Sequence, residues 1–171
     1  KHAVPAAQRA ALDRLIMAKL AELSRTVREA YEAYNFPAVY HTLNRFLSVD
    51  LSAFYIDACK DRIYCDAENS PARRSAQTTM HEILDALVRL SAPVLAFTAE
   101  EAWQARFGDE QSVHLEQFPM LPHDWRNDAL AAKWAEIRDI RRRINRGESL
   151  ANLLPPQVES YILQHRLYQE E

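Results

Sequence analysis

His41, Asn44 and Arg45 follow one another at spacings of three and four residues, which sets them on one side of a helix. An imidazole that can stack, an amide that can read base edges and a guanidinium that can clamp a phosphate suit contact with single-stranded RNA. The plainer account of the same three is a polar face turned to water. A second group surrounds one short connection: Lys60 and Arg62 end an expected helix, and Arg73 and Arg74 open the next. The first pair complements the negative end of a helix dipole, whereas the second sits where the dipole already disfavours positive charge. Two explanations stay open for Arg73 and Arg74: phosphate contact, or pairing with Asp61, Asp66 or Glu68. A third group, Arg138, Arg141, Arg142, Arg143 and Arg146, decorates the last long helix, with Arg138, Arg142 and Arg146 on one face and only Glu136, Asp139 and Glu148 to offset them. An ordinary charged surface would look the same. Tyr34, Phe36 and Tyr40 can stack on unpaired bases, while Phe54, Tyr55 and Trp103 read as core anchors.

Other chemistries find little material. His81-Glu82-x-x-Asp85 imitates the start of a zinc-protease helix but lacks the second histidine, so no metal is expected there. The six histidines include no Glu-x-x-His pair for a di-iron bundle. Cys59 and Cys65 lie about 240° apart around a helix, off any common face, and read as two buried reduced thiols. With only two glycines, phosphate-cradling loops, nucleophile elbows and tight hairpins are short of raw material. No catalytic residue is assigned.

The elements that must position these side chains are helices. A first helix is expected from Pro5 to about Tyr34 on the stripe Leu12, Ile16, Leu20, Leu23, Val27, Ala30, Tyr31 and Tyr34. Asn35-Phe36-Pro37 breaks it and opens a second helix, interrupted at Ser48-Val49-Asp50-Leu51, with another from Leu51 to about Tyr64. Ser70-Pro71 starts a long helix that stops or kinks at Pro93, and Thr98 with Glu101 makes a capping box for a short helix to about Arg106. Gln111 to Trp125 reads as a loop packed on the bundle. Asn127 or Asp128 should cap a last long helix closed by Gly147, and Pro155-Pro156 starts a terminal one.

The whole reads as all-α, an up-and-down helical bundle over residues 1–150, with 151–171 as a tail or the start of a following segment. At 171 residues and 48% hydrophobic composition it can bury a core, and its net charge of −3 confines any nucleic-acid contact to local basic clusters. No apolar stretch approaches the ~20 residues of a membrane span and no leader opens the chain, so a cytoplasmic protein without a membrane partner is expected. The start at Lys1 reads as a cut from something longer.

Several stretches resemble a known family. Phe36 to Cys65, with Phe54-Tyr55-Ile56-Asp57 before Lys60-Asp61-Arg62, is similar to the helical anticodon-binding domain of isoleucyl-tRNA synthetases. Leu12-Asp13-Arg14, Ser70-Pro71-Ala72-Arg73-Arg74, Ala86-Leu87-Val88-Arg89, Thr98-Ala99-Glu100-Glu101-Ala102-Trp103 and Val113-His114-Leu115-Glu116-Gln117-Phe118-Pro119 resemble the same domain. The valyl and leucyl enzymes share this bundle. The resemblance implies the class I synthetase anticodon-binding fold, an isoleucine tRNA and the rest of a parent synthetase as partners, and a parent that uses ATP and magnesium. None of those cofactors is expected in this chain, which lacks His-x-Gly-His and Lys-Met-Ser-Lys-Ser signatures. On this reading His41, Asn44, Arg45, Lys60, Arg62, Arg73, Arg74, Arg138 and Arg142 contact RNA. Arg146-Gly147-Glu148-Ser149-Leu150-Ala151 matches the family only partly, so the resemblance fades near residue 150. A helical protein-interaction bundle, marked by an exposed apolar stripe, is the alternative from another class.

Overall fold

The computed structural model describes residues 3–122, 125, 127–150 and 153–167, and among them every regular element is helical. The chain forms two compact units, Lys1–Asn127 and Asp128–Glu171.

In the first unit α1 covers Ala11–Glu32 and buries Ile16, Leu20, Leu23, Val27 and Ala30 at alternating steps of three and four. It does not start at Pro5. Pro5 instead precedes a single 3-10 turn, Ala6–Gln8, and the chain then runs extended through Arg9 and Ala10. The cause is Arg9, whose guanidinium is drawn inward onto Glu82 by two bonds of 2.6 Å while its Nε donates to the Val4 carbonyl. At the other end Tyr34 takes a left-handed φ of 53° and the Asn35 amide closes back on the Ala30 carbonyl, ending α1 two residues before the expected limit.

Asn35 then caps α2, Phe36–Arg45, accepting from the Ala38 amide with Pro37 in the first turn. The interruption expected at Ser48 to Leu51 is absent. The helix widens into a π-wound stretch, Phe46–Ile56, and continues without a break into α3, Asp57–Tyr64. Ser48 donates to the carbonyl of Asn44 within the helix and Asp50 reaches Lys19 on α1 at 3.4 Å, so neither residue is left to cap a break.

Ser70 caps α4, Pro71–Ser91, which stops ahead of Pro93 as expected. Following it, α5 covers Ala96–Phe107, beginning two residues before Thr98 and without a side-chain cap. Glu100 rather than Glu101 does the polar work there, accepting from the Ser112 hydroxyl and the Val113 amide and so holding the next loop. That loop packs on the bundle: Phe118 stacks on Tyr31 at 5.3 Å between ring centres and Pro119 is fully buried.

The second unit holds α6, Asp128–Asn145, and α7, Pro156–Gln164, around Ile144, Leu150 and Ile162. Gly147 ends α6 at φ 65°, with Gly147 and Glu148 donating back to Ile144 and Arg143. The Asp128 side chain, half of the expected cap, lies outside the described residues, as do 151, 152 and 168–171. The two units divide in sequence after Asn127.

Candidate nucleic-acid interface

On α2 the inward positions are Val39 and Leu43, followed by Phe46, all buried. The opposite side carries two adjacent rows at four-residue spacing, Phe36, Tyr40 and Asn44 in one and His41 and Arg45 in the other, all exposed. The Tyr40 and His41 rings meet edge to face at 5.4 Å. Tyr34, on the turn before them, is 81% exposed. His41, Asn44 and Arg45 therefore lie together as expected, bordered by the three aromatic residues.

The α3–α4 connection reads differently. Asp13 is fully buried on α1 inside the apolar stripe, where a lone carboxylate would be costly. Four donors surround it: Tyr55 Oη at 2.8 Å, the Arg62 guanidinium at 2.9 and 3.2 Å, and the Ser75 hydroxyl. Arg62 also lies 2.7 Å from the Cys59 thiol. Burial pulls Arg62 toward neutrality, but the bond to Asp13 and its charge outweigh this and hold the guanidinium above its ordinary range. Burial, then the charge of Asp13, pushes the Tyr55 phenol well up, and burial raises the Cys59 thiol against the pull of Arg62. Arg62 is thus committed to the protein interior.

Arg73 turns back to the Asp66 carbonyl at 2.8 Å, and Arg74 donates to Asn69 and approaches Glu68 at 3.8 Å. The pairing explanation is the one the structure displays at Arg74, while Arg73 uses the backbone of Asp66 rather than its carboxylate. Lys60 is exposed and pairs with Asp57 one turn back. Of the cysteines only Cys59 is buried; Cys65, carried past the end of α3, is exposed, and both are free thiols. Phe54 is half-buried, whereas Tyr55 and Trp103 are buried as core anchors should be.

The His81 segment is used structurally. Glu82 holds Arg9, Asp85 holds Arg89 and approaches Arg106 at 3.6 Å, and a guanidinium nitrogen of Arg106 lies 2.6 Å from His81 Nε2. In the second unit Asp139 accepts from Arg142 and, at 2.8 Å, from Arg143; these bonds hold its carboxyl below the ordinary range. Arg146 lies 3.7 Å from Glu148.

Sequence reasoning missed the Asp13 cluster, although an aspartate on a buried stripe is itself a signal that a cation and hydroxyls must converge on it. It also missed Lys19, Glu22 and Thr26, which share a face of α1 and line a cleft with His41 and Arg45.

A family model for the anticodon-binding domain of tRNA ligase matches residues 13–158. The chain is similar to the isoleucine–tRNA ligase of Agrobacterium fabrum strain C58, at 47% identity over 130 residues, covering 76% of this chain and 13% of that protein. The corresponding ligase of Mesorhizobium japonicum is 47% identical over 131 residues, 77% of this chain and 13% of that protein. That of Syntrophotalea carbinolica is 45% identical over 141 residues, 82% and 15% respectively. The chain thus spans about one seventh of the length of the relatives it matches.

Proposed function

The chain belongs to the anticodon-binding domain family of tRNA ligases, and from that premise we propose that it grips the anticodon region of an isoleucine tRNA while catalytic domains outside this chain carry out aminoacylation. ATP and magnesium serve those domains, and the parent protein works in the cytoplasm. The observation that carries this reading is the exposed face of α2, where Asn44, His41 and Arg45 stand beside Tyr34, Phe36 and Tyr40. Aromatic faces stack unpaired bases and a guanidinium neutralises phosphate, which is the pairing single-stranded RNA requires. Lys60 at the other end of the same helical run, and Arg73 and Arg74 in the first turn of α4, extend the cationic border, and Arg138 and Arg142 supply phosphate contacts from the second unit. Arg62 contributes by fixing α3 to α1 through Asp13. On this reading the domain positions RNA and leaves the chemistry to domains outside this chain.

Fluorescence anisotropy with an isoleucine-tRNA anticodon stem-loop and an unrelated stem-loop tests the proposal. The expected result is tighter binding of the first, with affinity falling steeply as salt is raised because phosphate contacts release counterions. Equal or undetectable binding of both at low salt would sink the reading.

A protein-interaction reading is favoured at one place, the α4–α5 turn, where Leu95 and Phe97 are exposed, Phe97 to 94%. This turn lies away from the polar face of α2 in sequence and composition, so Phe97→Ser separates the two roles: stem-loop binding should be unchanged by it.

A further inference from the structure

Between α1 and the α2–π run lies a cleft of about 410 Å³, lined by Lys19, Glu22 and Thr26 on one side and by His41, Arg45 and Asp50 on the other. Asp50 belongs to the π-wound stretch, and π segments inside α-helices are frequent at functional sites. Lys19 and Asp50 approach each other at 3.4 Å and largely cancel. The two remaining charges, Glu22 and Arg45, are exposed, and neither has an ion-pair partner among the described residues.

We infer that this cleft seats one unpaired nucleotide of the bound RNA, with Arg45 at its phosphate and Glu22 at the edge of a base that presents an amino group. The inference rests on the reading of the chain as an anticodon-region binder. The volume falls in the range of about 300–1,000 Å³ typical of small-ligand sites. A site for phosphate alone would not carry Glu22, because a carboxylate repels phosphate. What a carboxylate accepts from is the N–H edge of a base, as in the pairing of Glu with the cytosine amino group. A nucleotide supplies both an anion and such an edge, and the rings of Tyr40 and His41 at the border offer a face to stack on. Uracil has no exocyclic amino group, and its one edge donor, N3–H, is flanked by two carbonyl oxygens that a carboxylate repels, so it binds more weakly.

Two stem-loops with the same stem, one with an all-cytidine loop and one with an all-uridine loop, isolate that difference, since the pyrimidines match in size. Anisotropy titrations should show the cytidine loop bound at least about 5-fold more tightly, the lower end expected of a specific base contact. Glu22→Gln, whose amide can both donate and accept, should bring the ratio close to one by admitting the uridine loop. Arg45→Ala should weaken both loops about equally and lower the salt slope by about 1. Both side chains are exposed, and a thermal melt by circular dichroism shows that each variant keeps the fold. No cytidine preference, or a preference that survives Glu22→Gln, overturns the nucleotide cleft while the anticodon-region reading stands. No binding of these loops or of the anticodon stem-loop overturns both.

Discussion

Arg45 and Arg62 lie on one unbroken helical run and do opposite things. Arg45 projects into solvent with no ion pair among the described residues, whereas Arg62 is folded onto a buried carboxylate with its side chain only 18% exposed. Residue type and local spacing do not distinguish them. What does is the facing element: α1 presents Asp13 opposite Arg62, and opposite Arg45 it presents the open cleft beside Lys19 and Glu22. A cation in a family of RNA binders is thus a candidate contact only after the rest of the fold has taken its share of the positive charge.

The contrast is easiest to break at its buried end. Arg62→Met leaves the buried Asp13 carboxyl with its principal countercharge gone, and removing one partner of a buried pair generally costs about 3–5 kcal/mol. Urea unfolding should show a loss of that size, with stem-loop affinity close to wild type when measured well below the unfolding midpoint. Intact stability together with weakened RNA binding would mean that Arg62 is a contact and that the division drawn between the two arginines is wrong.

A smaller effect is expected of Tyr55→Phe, which removes one of the donors around Asp13 and keeps the ring that fills the core. The cost should be about 1–3 kcal/mol at neutral pH, the usual range when a buried acceptor loses a donor. The pH dependence sharpens it. Burial pushes Tyr31 up to about 12, and Tyr55 and Cys59 are also raised, so the folded chain holds these protons more tightly than the unfolded one. Their contribution is complete below the unfolded values and is lost as pH rises through them: for Tyr31 between its ordinary 10.0 and about 12. Wild-type stability should therefore fall across that window, and the fall should be shallower in Tyr55→Phe, which has one fewer group to titrate.

The same contrast explains what could be read without coordinates. Helices announced themselves through apolar spacing, and stops at Pro93 and Gly147 followed from residues that cannot continue a helix. The α2 face was legible because its rows depend only on local periodicity. Failures came where a distant partner decided. Arg9 unwinds the expected start of α1 for the sake of Glu82, far along the chain on α4, and Asp50 stays within a widened helix because Lys19 faces it. The pairing of Arg62 with Asp13 depends on which element faces α3, which no local window contains.

At the solvent end the prediction is an effect on binding without one on folding. His41→Ala with Arg45→Ala should shift the urea midpoint within the range of surface changes, about 0.5 kcal/mol either way, because neither side chain is buried. Anticodon stem-loop affinity should fall by several-fold and the salt slope by about 1 for the lost phosphate contact. A stability loss comparable to Arg62→Met would show that the α2 face is structural as well, and the contrast would collapse.

The smallest effect is expected in the second unit, where an arginine is neither buried nor unpaired. Arg142 and Arg143 both donate to Asp139, and the Arg142 bond is the largest cause of its depressed carboxyl. Arg142→Ala should let that carboxyl rise toward its ordinary value, with Arg143 retaining part of the depression, as read from its chemical shift in an NMR titration. A depressed carboxylate stabilises above its unfolded value and loses that contribution as pH falls through the folded one. The variant's melting temperature should therefore depend slightly less on pH in the acid range, with little change at neutrality because the pair is exposed and screened. If Arg142 touches phosphate, the salt slope of stem-loop binding drops as well. An unchanged slope would confine Arg142 to its partnership with Asp139, placing it with Arg62 in function although its surroundings are those of Arg45.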